Sequence, residues 1–298
     1  MPATAPKVEY AQLADLRVAY ERFGRREDPA ILLAIGLGTQ MVAWDEAFCR
    51  WLADRRLYVI RYDNRDVGLS THWHQGGRPD IDALARAQAW GQALAVPYTL
   101  VDMARDTLGL LDHLGLARAH FVGLSMGAMI GQEMAVHWPD RLRTLISIMS
   151  TTGCPSLPPP TPAALDILMK PFPGDREGYI EAFVAAFHTL SGPIHPTNDG
   201  LTRRWAAEHY DRGLNPDGIT RQMAAIMASG DRTARLKQVA VPTLVLHGSA
   251  DPLLPLEHGR ATARAIPGAR LEVIEGMGHA IPESLWETII DRICGHIA

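Results

Sequence analysis

His120-Phe121-Val122-Gly123-Leu124-Ser125-Met126-Gly127-Ala128-Met129 is the stretch that decides the fold. Its first five residues are mostly apolar and read as a strand, and the spacing from Met126 to Trp138 predicts a helix. At the join stands Gly123-Leu124-Ser125-Met126-Gly127, a Gly-x-Ser-x-Gly pattern. A chain that turns sharply from strand into helix pushes the residue at the corner into a strained, exposed position. Flanking glycines let neighbouring backbone pass where a Cβ would collide. The helix that follows offers unpaired N–H groups and a positive dipole end to any negative charge that develops beside the serine.

Working outward, the same strand–helix alternation continues in both directions. Val8–Leu13, Leu16–Phe23 and Ala30–Ile35 read as strands, the last almost wholly apolar, as a strand covered on both faces should be. Asp45–Arg56 reads as a helix with Ala47, Phe48, Trp51 and Leu52 on one side, and Leu57–Tyr62 returns to strand. Leu100–Leu114 is an amphipathic helix carrying Met103, Ala104, Leu108, Leu111 and Leu114. After the central stretch come strands at Leu142–Met149, Thr243–His247 and Leu271–Ile274, a helix at about Leu256–Ala265, and a last helix from Glu283 to His296. Alternation of this kind specifies an α/β fold with a mainly parallel sheet.

Residues 151–228 break the rhythm. Thr151 to Ser229 holds ten of the 21 prolines and no convincing strand. Thr161-Pro162 and Asn215-Pro216 each set a capping residue before a proline at the first helical position, so both read as helix starts. Phe172, Phe183, Phe187, Trp205 and Met223 need somewhere to bury. The stretch therefore reads as three or four helices, a cap inserted into a core made of residues 1–150 and 229–298.

Composition narrows the function classes. Of 298 residues 47% are apolar, enough for a sizeable core without disulfides or a structural metal. The 29 Lys and Arg against 33 Asp and Glu leave a net charge of −4, which gives no electrostatic reason to expect nucleic acid or an anionic membrane as partner. No apolar run approaches the roughly 20 residues of a membrane span. Cys49, Cys154 and Cys294 are odd in number and far apart, so they form no disulfide framework. The start Met1-Pro2-Ala3-Thr4-Ala5-Pro6-Lys7 lacks the pattern of a secretory signal, and the default expectation is the cytoplasm.

A serine is a poor nucleophile unless a base takes its proton, and the base needs an acid to orient it. Of 12 histidines, His279 is best placed, in the glycine-bracketed Glu275-Gly276-Met277-Gly278-His279 after the last predicted strand. Asp251 lies in His247-Gly248-Ser249-Ala250-Asp251-Pro252, directly after the strand before it. All three fall at predicted C-terminal strand ends, where open α/β sheets place their sites. Taken singly, Asp251 before a proline is equally at home as a turn former, and His279 as a loop residue; the set of three gives them meaning. His72-Trp73-His74 lacks the cysteine or carboxylate partners of a metal site, so no metal is expected. Asp63–Ser70 reads as a hydrogen-bonded turn that shapes the loop after the fourth strand. Phe172, Phe187, Trp205 and Met227 are candidates for an apolar pocket wall, and residues 71–98 for the rim of an entrance.

Together with Arg61-Tyr62-Asp63-Asn64-Arg65-Asp66-Val67-Gly68-Leu69-Ser70 and Met277-Gly278-His279-Ala280-Ile281-Pro282, these motifs resemble the α/β-hydrolase superfamily over nearly the whole chain. Within it they look most like the aclacinomycin methylesterase group of small-molecule esterases. The resemblance implies a mainly parallel eight-stranded sheet with helices on both faces and a helical cap. It implies Ser125 as nucleophile, His279 as base and Asp251 as the acid that orients it. It also implies an oxyanion hole from the backbone N–H of Met126 and one from Ile35-Gly36-Leu37-Gly38, at Leu37, with Gly36 beside the pocket. Many relatives carry His-Gly where this chain has Ile35-Gly36. No cofactor is implied. The substrate would be a fairly apolar methyl ester, short-to-medium acyl ester or lactone, with water as the second reactant. Cleavage of a thioester or C–C bond by the same residues stays open, as do a low-turnover receptor on the same scaffold and homo-oligomerisation.

Overall fold

The computed structural model describes residues 7–298. The run Met1–Pro6, most of the stretch read above for a secretory signal, lies outside the described residues. Eight strands form one sheet in the order β1-β2-β4-β3-β5-β6-β7-β8. They are β1 (Glu9–Gln12), β2 (Arg17–Phe23), β3 (Ala30–Ala34), β4 (Tyr58–Tyr62), β5 (Ala119–Leu124), β6 (Leu142–Ile148), β7 (Thr243–Gly248) and β8 (Arg270–Ile274). β2 is antiparallel to both of its neighbours, and the pairs from β4 across to β8 are all parallel.

The continuous apolar run of β3 follows from the period-2 alternation of a strand covered on both faces. Ala30, Leu32 and Ala34 point into the apolar layer beneath α3 (Leu100–His113) and α4 (Met126–His137). Ile31 and Leu33 point the other way, into the layer beneath α1 (Glu46–Asp54) and α11 (Trp286–Ile297). Helix starts are fixed by local chemistry. Asp45 caps α1 by accepting from the Ala47 amide, and Thr99 and Asp102 form a reciprocal capping box at the start of α3.

Between β6 and β7 the chain forms α5 (Pro162–Met169), α6 (Arg176–Ser191), α7 (Asp199–Asp211) and α8 (Pro216–Ser229), with no strand among the described residues. Thr161 and Asn215 cap α5 and α8 as their sequence predicts, accepting from the Ala164 and Gly218 amides ahead of a proline at the first turn. Phe172 and Phe183 pack with Tyr179, Ile180 and Ala206 in a small apolar cluster belonging to the insertion. Leu201 and Trp205 instead join the layer beneath α1 and α11, so α7 shares the main core.

The structure departs from the sequence reading at several helices. An unforeseen helix, α2 (Ile81–Ala89), lies in the stretch read as an entrance rim; it buries no residue fully, and its apolar face of Ile81, Leu84 and Ala87 is only half-buried. The last helix divides into a 3₁₀ turn at Glu283–Leu285 and α11 proper. Downstream of the insertion, α9 (Thr233–Leu236) leads into β7, and α10 (Leu256–Ala265) crosses from β7 to β8. Among the described residues no helix is long and apolar enough to cross a membrane.

Candidate active site

Ser125 sits at the corner between β5 and α4 with φ 53° and ψ −117°, a left-handed backbone that a non-glycine residue adopts only under constraint. The constraint is visible. Ser125 N–H donates to Ile148 O at 2.9 Å, tying the corner to the end of β6, and the Ser150 hydroxyl donates to Ser125 O at 2.9 Å. The two glycines are required by close approach. A Cβ on Gly123 would stand 2.4 Å from Ala128 N, and one on Gly127 would stand 2.4 Å from Ala34 O. The elbow thus brings α4 directly against the ends of β3 and β5. Met126 is the first residue of α4, so its N–H has no acceptor within the helix.

Asp251 follows β7 and His279 follows β8; both are buried. His279 Nδ1 lies 2.7 Å from Asp251 Oδ2. A carboxylate only accepts, so Nδ1 carries the proton and Nε2 of the neutral ring is left as the acceptor. The other oxygen of Asp251 accepts from the Leu253 and Leu254 amides at 2.9 and 2.8 Å. Burial alone would raise the Asp251 carboxyl. The nearby His279 ring and the Leu254 amide outweigh it, and the carboxyl is held below its ordinary value. His247, at the end of β7, donates from Nε2 to Leu254 O at 2.7 Å and holds the same turn from behind. Burial keeps that imidazole neutral, its pKa lowered.

The His279 loop is also held by the insertion. Gly278 N–H donates to Ser191 O at 2.9 Å, and His279 N–H donates to Leu190 O. These carbonyls belong to the last turn of α6, where a helix leaves its acceptors free.

Gly36 lies beside the serine, since a Cβ there would stand 3.3 Å from Ser125 Cβ. The turn it opens is closed by Thr39 N–H donating to Gly36 O at 3.3 Å. Gly38 N–H donates to Gln222 Oε1 at 2.8 Å, while the Leu37 N–H has no acceptor among the described residues. Leu37 is the loop donor that the family resemblance implies, and its amide makes no hydrogen bond among the described residues.

The Asp63–Ser70 segment is a hydrogen-bonded turn, as its composition suggests, and it reaches further than the sequence reading extends. Asp63 accepts from the Met41 and Leu69 amides at 2.7 and 2.9 Å and pairs with Arg212. Asp66 accepts from Tyr98 OH at 2.7 Å and from the Trp73 amide at 2.7 Å. Arg221 closes on both Asp66 oxygens at 2.8 and 2.7 Å. Arg212 and Arg221 come from the insertion, and sequence reasoning assigned them nothing. No local motif could have linked residues about 150 positions apart.

The remaining candidates are placed by their packing. Phe172 touches Tyr179 and Phe183, with ring centroids 5.3 and 6.5 Å away. Phe187 meets Trp205 edge-on at 5.6 Å; Trp205 stacks on Trp286 and donates its indole N–H to Asp45 at 2.9 Å. Met227 lies on α8, its carbonyl accepting from Gly230 N–H. His72 and His74 face each other edge-on at 5.7 Å.

Comparison with known proteins agrees with this architecture. Residues 29–284 match the model of the α/β-hydrolase fold. The chain is 31% identical over 296 residues to rhodomycin D methylesterase DauP of Streptomyces sp. (strain C5), covering 93% of both chains. It is 32% identical over 297 residues to rhodomycin D methylesterase DnrP of Streptomyces peucetius, again covering 93% of each. The crystal structure of a hydrolase from Pseudomonas aeruginosa PA01 superposes with a TM-score of 0.67 at 26% identity, over 97% of this chain and 96% of that one. The chain belongs to the α/β-hydrolase fold family. Within that family its similarity is to the methylesterase group that its sequence motifs resemble.

Proposed function

We propose that this protein is a serine hydrolase of carboxylic esters, acting on the methyl ester of a fairly apolar small molecule through an acyl-enzyme. The observation that carries the reading is the 2.7 Å bond from His279 Nδ1 to Asp251, made at the same end of the sheet as the left-handed Ser125 elbow. The similarity to two methylesterases supports the choice of ester.

In this mechanism Ser125 Oγ attacks the ester carbonyl while His279 Nε2 takes its proton. Asp251 keeps the ring in the tautomer that leaves Nε2 free, and stabilises the imidazolium once it forms. The carbonyl oxygen becomes an oxyanion held by the Leu37 and Met126 amides, each worth about 3–4 kcal/mol in the transition state. The methoxide leaves as methanol with the proton from His279. Water, deprotonated by the same imidazole, then hydrolyses the acyl-enzyme to the carboxylic acid and frees Ser125. Asp251 and the backbone donors are fixed before substrate arrives, which is what makes their electrostatic contribution effective. Residues 151–228 serve as the cap over this site, with Gly36 next to the nucleophile and the end of α6 bonded to the His279 loop.

The test is turnover of p-nitrophenyl esters from acetate to palmitate, wild type beside Ser125→Ala. We expect multiple turnovers by the wild type and a loss on the order of 10⁴–10⁶ in the variant. Comparable activity in Ser125→Ala would overturn the assignment.

A further inference from the structure

Gln222, on α8, is fully buried and uses both ends of its amide. Its Oε1 accepts from Gly38 N–H at 2.8 Å, and its Nε2 donates to Arg65 O at 2.8 Å. The partners fix this orientation, because the reversed amide would set donor against donor and acceptor against acceptor. The helix carrying it cannot slide. Arg221 is clamped on Asp66 and donates to Gly77 O at 2.6 Å, and Asn215 Nδ2 donates to Asp66 O at 3.0 Å. Thr39 Oγ1 donates to Leu37 O at 3.2 Å. The peptide between Leu37 and Gly38 is therefore gripped at both ends, its carbonyl by Thr39 and its N–H by Gln222. Gly38 has φ 66°, the position in a four-residue turn where the central peptide can flip between two turn types.

We propose that Gln222 is a positioning residue for oxyanion stabilisation. It occupies the Gly38 amide from the insertion and locks the Gly36–Thr39 turn, so that the Leu37 amide is the one presented beside Ser125. The insertion is then part of the machinery that builds the oxyanion hole, as well as a cover for substrate. This inference rests on the reading of Ser125 as nucleophile and Leu37 as donor.

The experiment compares wild type, Gln222→Met, Thr39→Val and Ser125→Ala on one p-nitrophenyl ester. It also measures inhibition by an aryl trifluoromethyl ketone, whose serine adduct places a negative oxygen where the oxyanion forms. Removing an oxyanion donor outright costs about 10²–10³ in kcat, so loosening one should cost about 10- to 100-fold. We expect Gln222→Met to lose that much kcat with KM within about twofold, and the ketone's inhibition constant to rise by the same factor. Thr39→Val, at a half-buried position, should show the same pattern more weakly, and it decides the matter if Gln222→Met does not fold. Unchanged kcat in a folded Gln222→Met, or lost kcat with unchanged ketone affinity, overturns the inference alone. Turnover persisting in Ser125→Ala overturns the serine reading and this inference with it.

Discussion

Replacing Asp251 by Asn tests the site with almost no change of shape. Oδ1 of Asp251 accepts two backbone amides, from Leu253 and Leu254, at 2.9 and 2.8 Å. An asparagine can satisfy both only with its carbonyl oxygen in that place, which aims its NH₂ at His279 Nδ1. The NH₂ is a donor, so Nδ1 must become the acceptor and the ring proton must move to Nε2. An imidazole protonated at Nε2 cannot take the serine proton. The expected loss is about 10⁴ in kcat, or about 5.4 kcal/mol of barrier. Because the carboxyl of the wild type is held below its ordinary value, it is ionised throughout the neutral range and the contrast needs no special pH. The assay is steady-state hydrolysis of a p-nitrophenyl ester, with near-ultraviolet circular dichroism to show that packing is intact. A correctly folded Asp251→Asn that keeps more than a tenth of wild-type kcat would refute the tautomer argument.

Two further outcomes follow from buried groups. Arg221→Met leaves Asp66 without its two charged hydrogen bonds in a dry site, where breaking one partner of a buried pair costs about 3–5 kcal/mol. At about 2.1 cal/mol/K per residue, that lowers the melting temperature by about 5–8 °C, measurable by scanning calorimetry; a shift under about 1 °C would show that the neighbouring donors suffice. His209, on α7, is held neutral by burial and then by Arg212, its pKa pushed down to about 3. Between that value and the ordinary 6.5 the unfolded chain binds a proton that the folded one does not, so this group makes stability fall as pH drops below 6.5. His209→Phe should remove about 1.4 kcal/mol per pH unit from the slope of stability in that window, read from urea unfolding at several pH values. Parallel wild-type and variant profiles would contradict it.

How much of this was legible in the sequence depends on how local the signal is. The strands at β3 and β5, the capped starts of α5 and α8, and the Gly-x-Ser-x-Gly corner are all written within ten or so residues. Side-chain period and turn chemistry sufficed there. The pairing of Asp251 with His279 was legible because each follows its strand directly, in chain order. α2 was not, because its apolar face is short, with Ile81, Leu84 and Ala87 set among polar residues over two and a half turns. Gln222, Arg212 and Arg221 were not, because each meaning lies in a partner far away in the chain. The Gly38–Gln222 bond spans 184 positions, and nothing near Gln222 distinguishes it from any polar residue on a helix.

That long span bears on how the chain matures during synthesis. When the ribosome has made residues 1–150, six of the eight strands exist, but Asp63 and Asp66 lack the arginines that neutralise them in the finished interior. Two buried carboxylates without their counter-charges are a strong bar to premature closure of the N-terminal half. The N-terminal portion must stay open, or hold water there, until Arg212 and Arg221 leave the exit tunnel. At about 5–20 residues per second that interval lasts several seconds. The arrival of α8 is then what releases this half to close, ahead of β7, β8 and α11, and the same step completes the turn beside the serine.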